Sequence, residues 1–321
     1  MECRKIMITG GAGFIGSHLT ERILAEGCEI LCLDDFNDFY DPTLKRQNIT
    51  GYLENGRYSL VEGDICDRDL VAKLVEEWRP QAIVHLAARA GVRPSLEQAR
   101  LYETVNVAGT LNMLEAARAI GVDKFIFGSS SSVYGLNEKI PFREDDALLK
   151  PASPYAATKI AGEALCHAYA HLYDLPVVAL RFFTVYGPRQ RPDLAIRKFA
   201  TKMLRGEAII LYGDGSSARD YTFVADIVSG IMAALDYNGD RYEVFNLGNS
   251  TPISLDNLVT ALEAALGVKA TIRRESDQPG DVPITYADIT KSKAKLKYSP
   301  GTPLAEGMEK FSRWLKENAS L

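Results

Sequence analysis

Four glycines, Gly10, Gly11, Gly13 and Gly16, fall inside the run Thr9-Gly10-Gly11-Ala12-Gly13-Phe14-Ile15-Gly16, between an apolar stretch at 5–9 and a helical period at 14–26. Glycine at this spacing permits a tight strand-to-helix turn and lets main-chain N–H groups approach an anion at the positive end of the helix dipole. The pattern predicts a loop that cradles the pyrophosphate of a dinucleotide, with Gly10, Gly13, Phe14, Ile15 and Gly16 around it. A glycine-rich turn without a ligand is the bland alternative. Asp34 ends the next apolar run, 18 residues after Gly16, where a carboxylate accepts hydrogen bonds from adenosine ribose hydroxyls and repels a 2′-phosphate. NAD is therefore favoured over NADP, with Lys45 and Arg46 nearby pulling the other way.

A chain of 321 residues exceeds what one typical core supports, so two cooperating lobes are expected. The formal charge of −5, with basic residues scattered, supplies no field for nucleic acid or an acidic membrane. The five cysteines are odd in number and lack metal-ligand spacing, and read as reduced, buried thiols with no metal site. Glycines interrupt the apolar N-terminal stretch, so a signal peptide is not expected. No apolar run approaches the length of a membrane span, which points to the cytoplasm.

Short β-type runs at 5–9, 29–34, 58–63, 82–86 and 124–129 alternate with helical periods at 14–26, 67–78 and 102–120. Such alternation predicts an α/β fold, a doubly wound parallel sheet wrapped by helices. A helix is expected over 155–173, with Ser153 as cap and Pro154 in its first turn, followed by a strand at 177–182. Beyond about 181 the chain becomes loop-rich. We divide it into a dinucleotide-binding Rossmann domain, 1–180, and a smaller α/β substrate-binding lobe, 181–321. A helix and strand within 224–247 are read as returning to the first sheet.

Tyr155 and Lys159 lie four apart on the predicted helix, so their side chains share one face. A phenol is a poor base at neutral pH, and a neighbouring ammonium and an oxidised nicotinamide ring would both favour phenolate. Taken alone, the pair reads as a surface helical pair; beside the glycine loop it reads as a proton-transfer site. The segment Gly128-Ser129-Ser130-Ser131-Ser132-Val133-Tyr134-Gly135 follows an apolar strand, so its hydroxyls are expected at the carboxyl edge of the sheet, where such folds bind ligands.

Together these motifs resemble the extended short-chain dehydrogenase/reductase family, specifically its nucleotide-sugar 4-epimerases. Further matching segments are Gly63-Asp64-Ile65, His85-Leu86-Ala87-Ala88, Asn106-Val107-Ala108-Gly109-Thr110, Leu180-Arg181-Phe182-Phe183 and Arg219-Asp220-Tyr221. The resemblance implies Tyr155, Lys159 and Ser130 as catalytic residues, Ser130 meeting the sugar's 4-oxygen. It implies Asn37, Asp64, Ile65, Leu86, Ala87, Ala88 and Asn106 as cofactor-binding, with Arg219 on the UDP pyrophosphate and Asp281 at the uridine ribose. It also implies a homodimer in which the helices at 102–120 and 155–173 pair with their symmetry mates.

Two positions depart from galactose epimerases: Ala90 replaces a cofactor-contacting lysine and Gln278 a pyrophosphate arginine. Asp35-Phe36-Asn37-Asp38-Phe39-Tyr40-Asp41-Pro42, Ala90-Gly91-Val92-Arg93-Pro94-Ser95-Leu96, Phe183-Thr184-Val185-Tyr186-Gly187-Pro188 and Asp277-Gln278-Pro279-Gly280-Asp281-Val282-Pro283 instead look like UDP-glucuronate 4-epimerases. That likeness implies interconversion of UDP-glucuronate and UDP-galacturonate through a 4-keto sugar. Ser129, Ser131, Thr184, Arg93 and Arg191 are then the candidates for holding the C6 carboxylate. Thr285, where narrow-pocket galactose epimerases keep a tyrosine, leaves a UDP-N-acetylglucosamine or UDP-glucose epimerase as the alternative. A UDP-glucuronate decarboxylase would need the carboxylate aligned for loss of CO₂. Ser130-Ser131-Ser132 lacks the Asp-Glu pair of dTDP-glucose 4,6-dehydratases, and intact Tyr155, Lys159 and Ser130 argue against a non-enzymatic NAD sensor.

Overall fold

The computed structural model describes residues 4–276 and 284–318. Its strands are β1 (Lys5–Thr9), β2 (Glu29–Asp34), β3 (Tyr58–Glu62), β4 (Ala82–His85), β5 (Lys124–Ser130), β6 (Val177–Phe182), β7 (Thr184–Tyr186), β8 (Ile209–Tyr212), β9 (Ala218–Phe223), β10 (Tyr242–Leu247), β11 (Pro252–Ser254), β12 (Ile272–Glu275) and β13 (Ile284–Thr285). Strands buried on both faces belong in a parallel sheet covered by helices. In β1, β4 and β5 all but terminal residues are buried.

Seven strands form that sheet in the order β3-β2-β1-β4-β5-β6-β10, every neighbouring pair parallel. The direction of winding reverses between β1 and β4, and ligands of such sheets sit outside the strand carboxyl ends at that point. β10 pairs with β6 from Tyr242↔Val177 to Leu247↔Phe182. Helix Val224–Leu235 packs on helix Phe14–Ala25, so both segments return to the first sheet. The rest of the later chain builds a small sheet, with β9 paired to β7, β11 and β13, and the separate pair β8–β12.

Helix Pro154–Tyr173 starts where Ser153 Oγ accepts the Ala156 N–H at 3.1 Å. The helix expected over 102–120 is not continuous. It divides into Ala99–Glu103, a π turn at Thr104–Ala108 and Gly109–Ile120. Periodicity hides this break because the flanking turns keep the same buried face. The side chain of Asn106, within the π turn, is committed to contacts outside the helix.

The cysteines also differ from expectation. Cys28, Cys32 and Cys166 are buried, but Cys66, in the loop after β3, is only half-buried, and Cys3 lies outside the described residues. Among the described residues no helix is long and apolar enough to cross a membrane.

Candidate active site

A cleft of about 570 Å³ opens at the carboxyl ends of β1, β4 and β5 and is closed on its far side by β7, β9 and β13. Its floor is the glycine loop. Gly10 has φ +69°, and a Cβ there would sit 2.8 Å from the Ala87 nitrogen, while one on Gly16 would sit 2.2 Å from the Gly10 oxygen. Neither position accepts a side chain, and the loop thereby packs against the end of β4. Helix Phe14–Ala25 begins at Gly13 with no side-chain cap, so its first N–H groups are left for an anion. Uncapped amides and missing Cβ atoms fit a dinucleotide's pyrophosphate.

Asp34 closes one end of the cleft. Its carboxylate accepts the Ala12 N–H at 3.1 Å and the Phe36 N–H at 3.0 Å, with Lys45 Nζ 3.8 Å away. Burial raises the Asp34 carboxyl above the usual carboxylate range, against the pull of Lys45 and the two main-chain bonds. Lys45 also faces Asp35 at 3.9 Å, and Arg46 is tied to Glu62 by two 2.9 Å bonds. The two cations that argued for a 2′-phosphate are thus engaged by carboxylates. Asn37, Ile65 and the exposed Asp64 also line this end.

The middle is braced by a directed hydrogen-bond chain. Thr110 Oγ1 donates to the Asn106 carbonyl at 2.6 Å and so accepts from His85 Nε2 at 3.0 Å. His85 Nδ1 then accepts from Thr9 Oγ1 at 2.7 Å, and Thr9 Oγ1 accepts the Ala87 N–H at 3.2 Å. Burial holds His85 neutral, lowering its pKa to about 3. Leu86, Ala87 and Ala88 consequently lie fixed along the wall. Asn106 does not line the cleft. Its Oδ1 accepts the Arg89 N–H at 2.8 Å, and its Nδ2 donates to the Arg89 carbonyl at 2.9 Å and to Thr158 Oγ1 at 3.0 Å. Its amide is spent holding the wall to the Tyr155 helix, which puts it behind the cofactor wall rather than on it.

At the other end stand Tyr155, Lys159 and Ser130. Burial pushes the Tyr155 phenol up, opposed by the Ser130 hydroxyl bonded to it and by the charge of Arg191. Lys159 Nζ donates to the Gly128 carbonyl at 2.7 Å and lies over the Phe127 ring. Burial lowers its pKa to about 8. The Lys159 ammonium is therefore directed toward the strand end, and the charge of Arg191 opposes the rise of the Tyr155 phenol.

The hydroxyls of the cleft wall divide by their partners. Ser129 Oγ donates to Glu163 Oε1 at 2.5 Å, within a buried pair in which Arg181 Nε and Nη2 reach Glu163 at 2.9 and 2.8 Å. Its proton is thus unavailable to a substrate carboxylate, contrary to the role read for it. Ser131 and Thr184 remain half-buried on the cleft wall, with Arg191 and Arg219. Arg93 is exposed on helix Val92–Glu97, over the Tyr212 ring at the cleft mouth. Asp281 and Gln278 lie outside the described residues. Motif reading missed Arg89 in the lining and Glu163 behind it, and gave no site role to Phe39 and Tyr40, which also line the cleft. Only Glu163, one turn beyond Lys159 on the same face, carried a periodic signal.

Residues 7–311 match the family model described as GDP-mannose 4,6 dehydratase. UDP-glucuronate 4-epimerase 1 of Arabidopsis thaliana is 42% identical over 327 residues, spanning 96% of this chain and 76% of that protein. The crystal structure of UDP-glucuronic acid 4-epimerase from Bacillus cereus, in complex with UDP-glucuronic acid and NAD, matches with a TM-score of 0.92 at 39% identity, covering 98% of this chain and 99% of that one. A UDP-glucose 4-epimerase from Thermotoga maritima with UDP-glucose matches at 0.90 and 31%, covering 98% and 99%. With the glycine loop, the parallel sheet and the Tyr155/Lys159 helix in place, the chain belongs to the GDP-mannose 4,6 dehydratase family of extended short-chain dehydrogenases/reductases, among relatives that are UDP-glucuronate 4-epimerases.

Proposed function

We propose that this chain is an NAD-dependent UDP-glucuronate 4-epimerase, interconverting UDP-glucuronate and UDP-galacturonate through a transient 4-keto sugar. The observation that carries the sugar assignment is Arg191: a half-buried guanidinium lining one cleft with the Tyr155 phenol and the Ser131 and Thr184 hydroxyls suits a hexose bearing a carboxylate. Relatives named as UDP-glucuronate 4-epimerases support the same reading.

Gly10, Gly13, Phe14, Ile15, Gly16, Asp34, Asn37, Ile65 and Leu86 to Ala88 would hold the dinucleotide, which when bound supplies a reversible hydride acceptor at sugar C4. Tyr155 takes the C4 hydroxyl proton through its phenolic oxygen and returns it after the keto sugar has turned over. Ser130 donates to the same oxygen and steers the proton. Arg219 and Asp281 are assigned to the UDP moiety. The keto intermediate is a β-keto acid, which loses CO₂ when the carboxylate bond aligns with the carbonyl π system. Arg191, Thr184 and Ser131 hold the carboxylate away from that alignment.

In this reading residues 1–180, with the segment 224–247, form the cofactor domain, and the remainder of 181–321 the sugar-nucleotide lobe. A homodimer through the two long helices is supported by an uncharged outer ridge of helix Pro154–Tyr173, in which Ala157, Ala164 and Leu172 are exposed and Ala161 and Ala168 half-buried. The thiols of Cys32, Cys66 and Cys166 support a reducing, cytoplasmic setting.

Purified protein incubated separately with UDP-glucuronate, UDP-glucose and UDP-N-acetylglucosamine, with products resolved by NMR, tests the assignment. UDP-galacturonate from the first substrate is the expected product. Turnover of UDP-N-acetylglucosamine alone would overturn it in favour of the roomier pocket beside Thr285, which also lines the cleft.

A further inference from the structure

We infer that Arg89 is a cofactor-binding residue that clamps the middle of the dinucleotide, its guanidinium facing the pyrophosphate and the ribose next to it. The inference rests on the dinucleotide reading of the cleft but assigns a contact that no motif carries. Arg89 lines the cleft immediately beyond the wall Leu86 to Ala88. Its backbone is fixed in both directions, since the buried Asn106 side chain accepts its N–H and donates to its carbonyl.

The side chain is equally directed. Nη1 donates to Asn37 Oδ1 at 3.2 Å, and Asn37 is itself pinned by bonds to Asp35 Oδ1 and the Phe39 N–H. Nε is buried and has no hydrogen-bond partner. A guanidinium whose partner is a neutral carboxamide, with a second donor left unsatisfied, is poised for an anion. By contrast, Lys45, the other cation at this end of the cleft, faces Asp34 and Asp35.

Its place along the cleft follows from its partners. Its guanidinium bonds Asn37, just beyond β2 at the adenosine end, while Asn106, which holds its backbone, bonds Thr158 on the helix that carries Tyr155 at the reacting end. Arg89 therefore stands between the two ends, where a dinucleotide carries its two phosphate charges. The glycine-loop helix supplies only about half a charge there. A full cation completes the neutralisation and ties the two walls, β2–Asn37 and β4–Arg89, across the ligand.

The test is exchange of bound NAD⁺ against excess isotopically labelled NAD⁺, with no sugar nucleotide present, so that the identity of the sugar does not enter. Arg89→Met keeps the apolar stem and removes the charge; its exchange is expected to be about ten- to a hundredfold faster, and Arg89→Lys within about threefold of the parent. ADP competition for the site should weaken with Arg89→Met, whereas adenosine competition should not. Exchange by Arg89→Met within about twofold of the parent would overturn the inference. If Arg89→Met does not fold, as judged by circular dichroism, Arg89→Gln carries the same expectation and the same overturning result. A parent protein that neither holds nor binds a nicotinamide nucleotide would overturn the cofactor reading and this inference with it.

Discussion

The Arg191 guanidinium is held by Asp193 through two parallel bonds, Nε to Oδ1 at 3.0 Å and Nη2 to Oδ2 at 2.8 Å. Fixed in this way, it presents its charge to the Tyr155 phenol. Removing the charge as Arg191→Met is expected to act twice. UDP-glucuronate turnover should fall by about tenfold or more, as a charge-assisted contact to the carboxylate is lost. The kinetic pKa of the ascending, acid limb of kcat, where the Tyr155 base must be deprotonated, should also rise, because a nearby cation favours phenolate. A pH–rate profile checks both, and an unmoved ascending limb would show that Arg191 does not act on Tyr155.

Tyr155→Phe removes the ionisable oxygen while keeping the ring against Tyr102. Turnover should drop by about 10² to 10⁴, with calorimetric NAD⁺ and UDP-sugar binding little changed. Retention of more than about a tenth of parental activity would mean that another group moves the proton.

Thr184 begins β7 and lines the cleft with Ser131. Thr184→Val keeps the volume and deletes the hydroxyl, so UDP-glucuronate turnover should fall about tenfold to a hundredfold, far more than any residual UDP-glucose turnover. The less restrained keto acid should also release CO₂, leaving a trace of pentose product visible by mass spectrometry. Unchanged glucuronate kinetics without pentose would reduce Thr184 to a strand-end residue.

Glu163 and Arg181 form a buried pair with side chains about equally hidden, at 6% and 4% exposure, and Ser129 and Tyr134 bond to it. Glu163→Ala strands a buried guanidinium, which costs about 3 to 5 kcal/mol. Urea unfolding should reveal a loss of that order. A change below about 1 kcal/mol would mean that water or backbone rescues Arg181.

His18 Nε2 donates to the Pro188 carbonyl at 2.9 Å, tying the cofactor helix to the loop that carries Arg191. Burial lowers its pKa from 6.5 to about 4, with the Pro188 bond opposing. The folded value lies below the unfolded one, so between about 4 and 6.5 the unfolded chain binds the proton more readily, and stability rises with pH through that window. Acidification from 6.5 to 4 should cost about 3 kcal/mol at this site. Thermal melts should show His18→Gln with a shallower acid slope than the parent, and identical slopes would refute the assignment.

Residues close in sequence were legible before folding. Local spacing settles the glycine loop, whose close approach to Ala87 excludes side chains, the Ser153 cap, and the shared face of Tyr155 and Lys159. The alternation of apolar runs likewise determines a parallel sheet, down to the return of β10. What spacing leaves open is the direction of a side chain once distant segments meet. Lys159 turns to the Gly128 carbonyl, Ser129 gives its proton to Glu163, and Asn106 sits in a π turn to hold Arg89. The loop that carries Arg191 is latched to the cofactor helix by His18 and by Arg189, which bonds Glu21 and Tyr52. Helical and strand periods are dictated by backbone geometry within a few residues, whereas the partner of a buried charge or hydroxyl is chosen by which donors and acceptors the packed core brings within hydrogen-bond reach. That choice belongs to the tertiary structure.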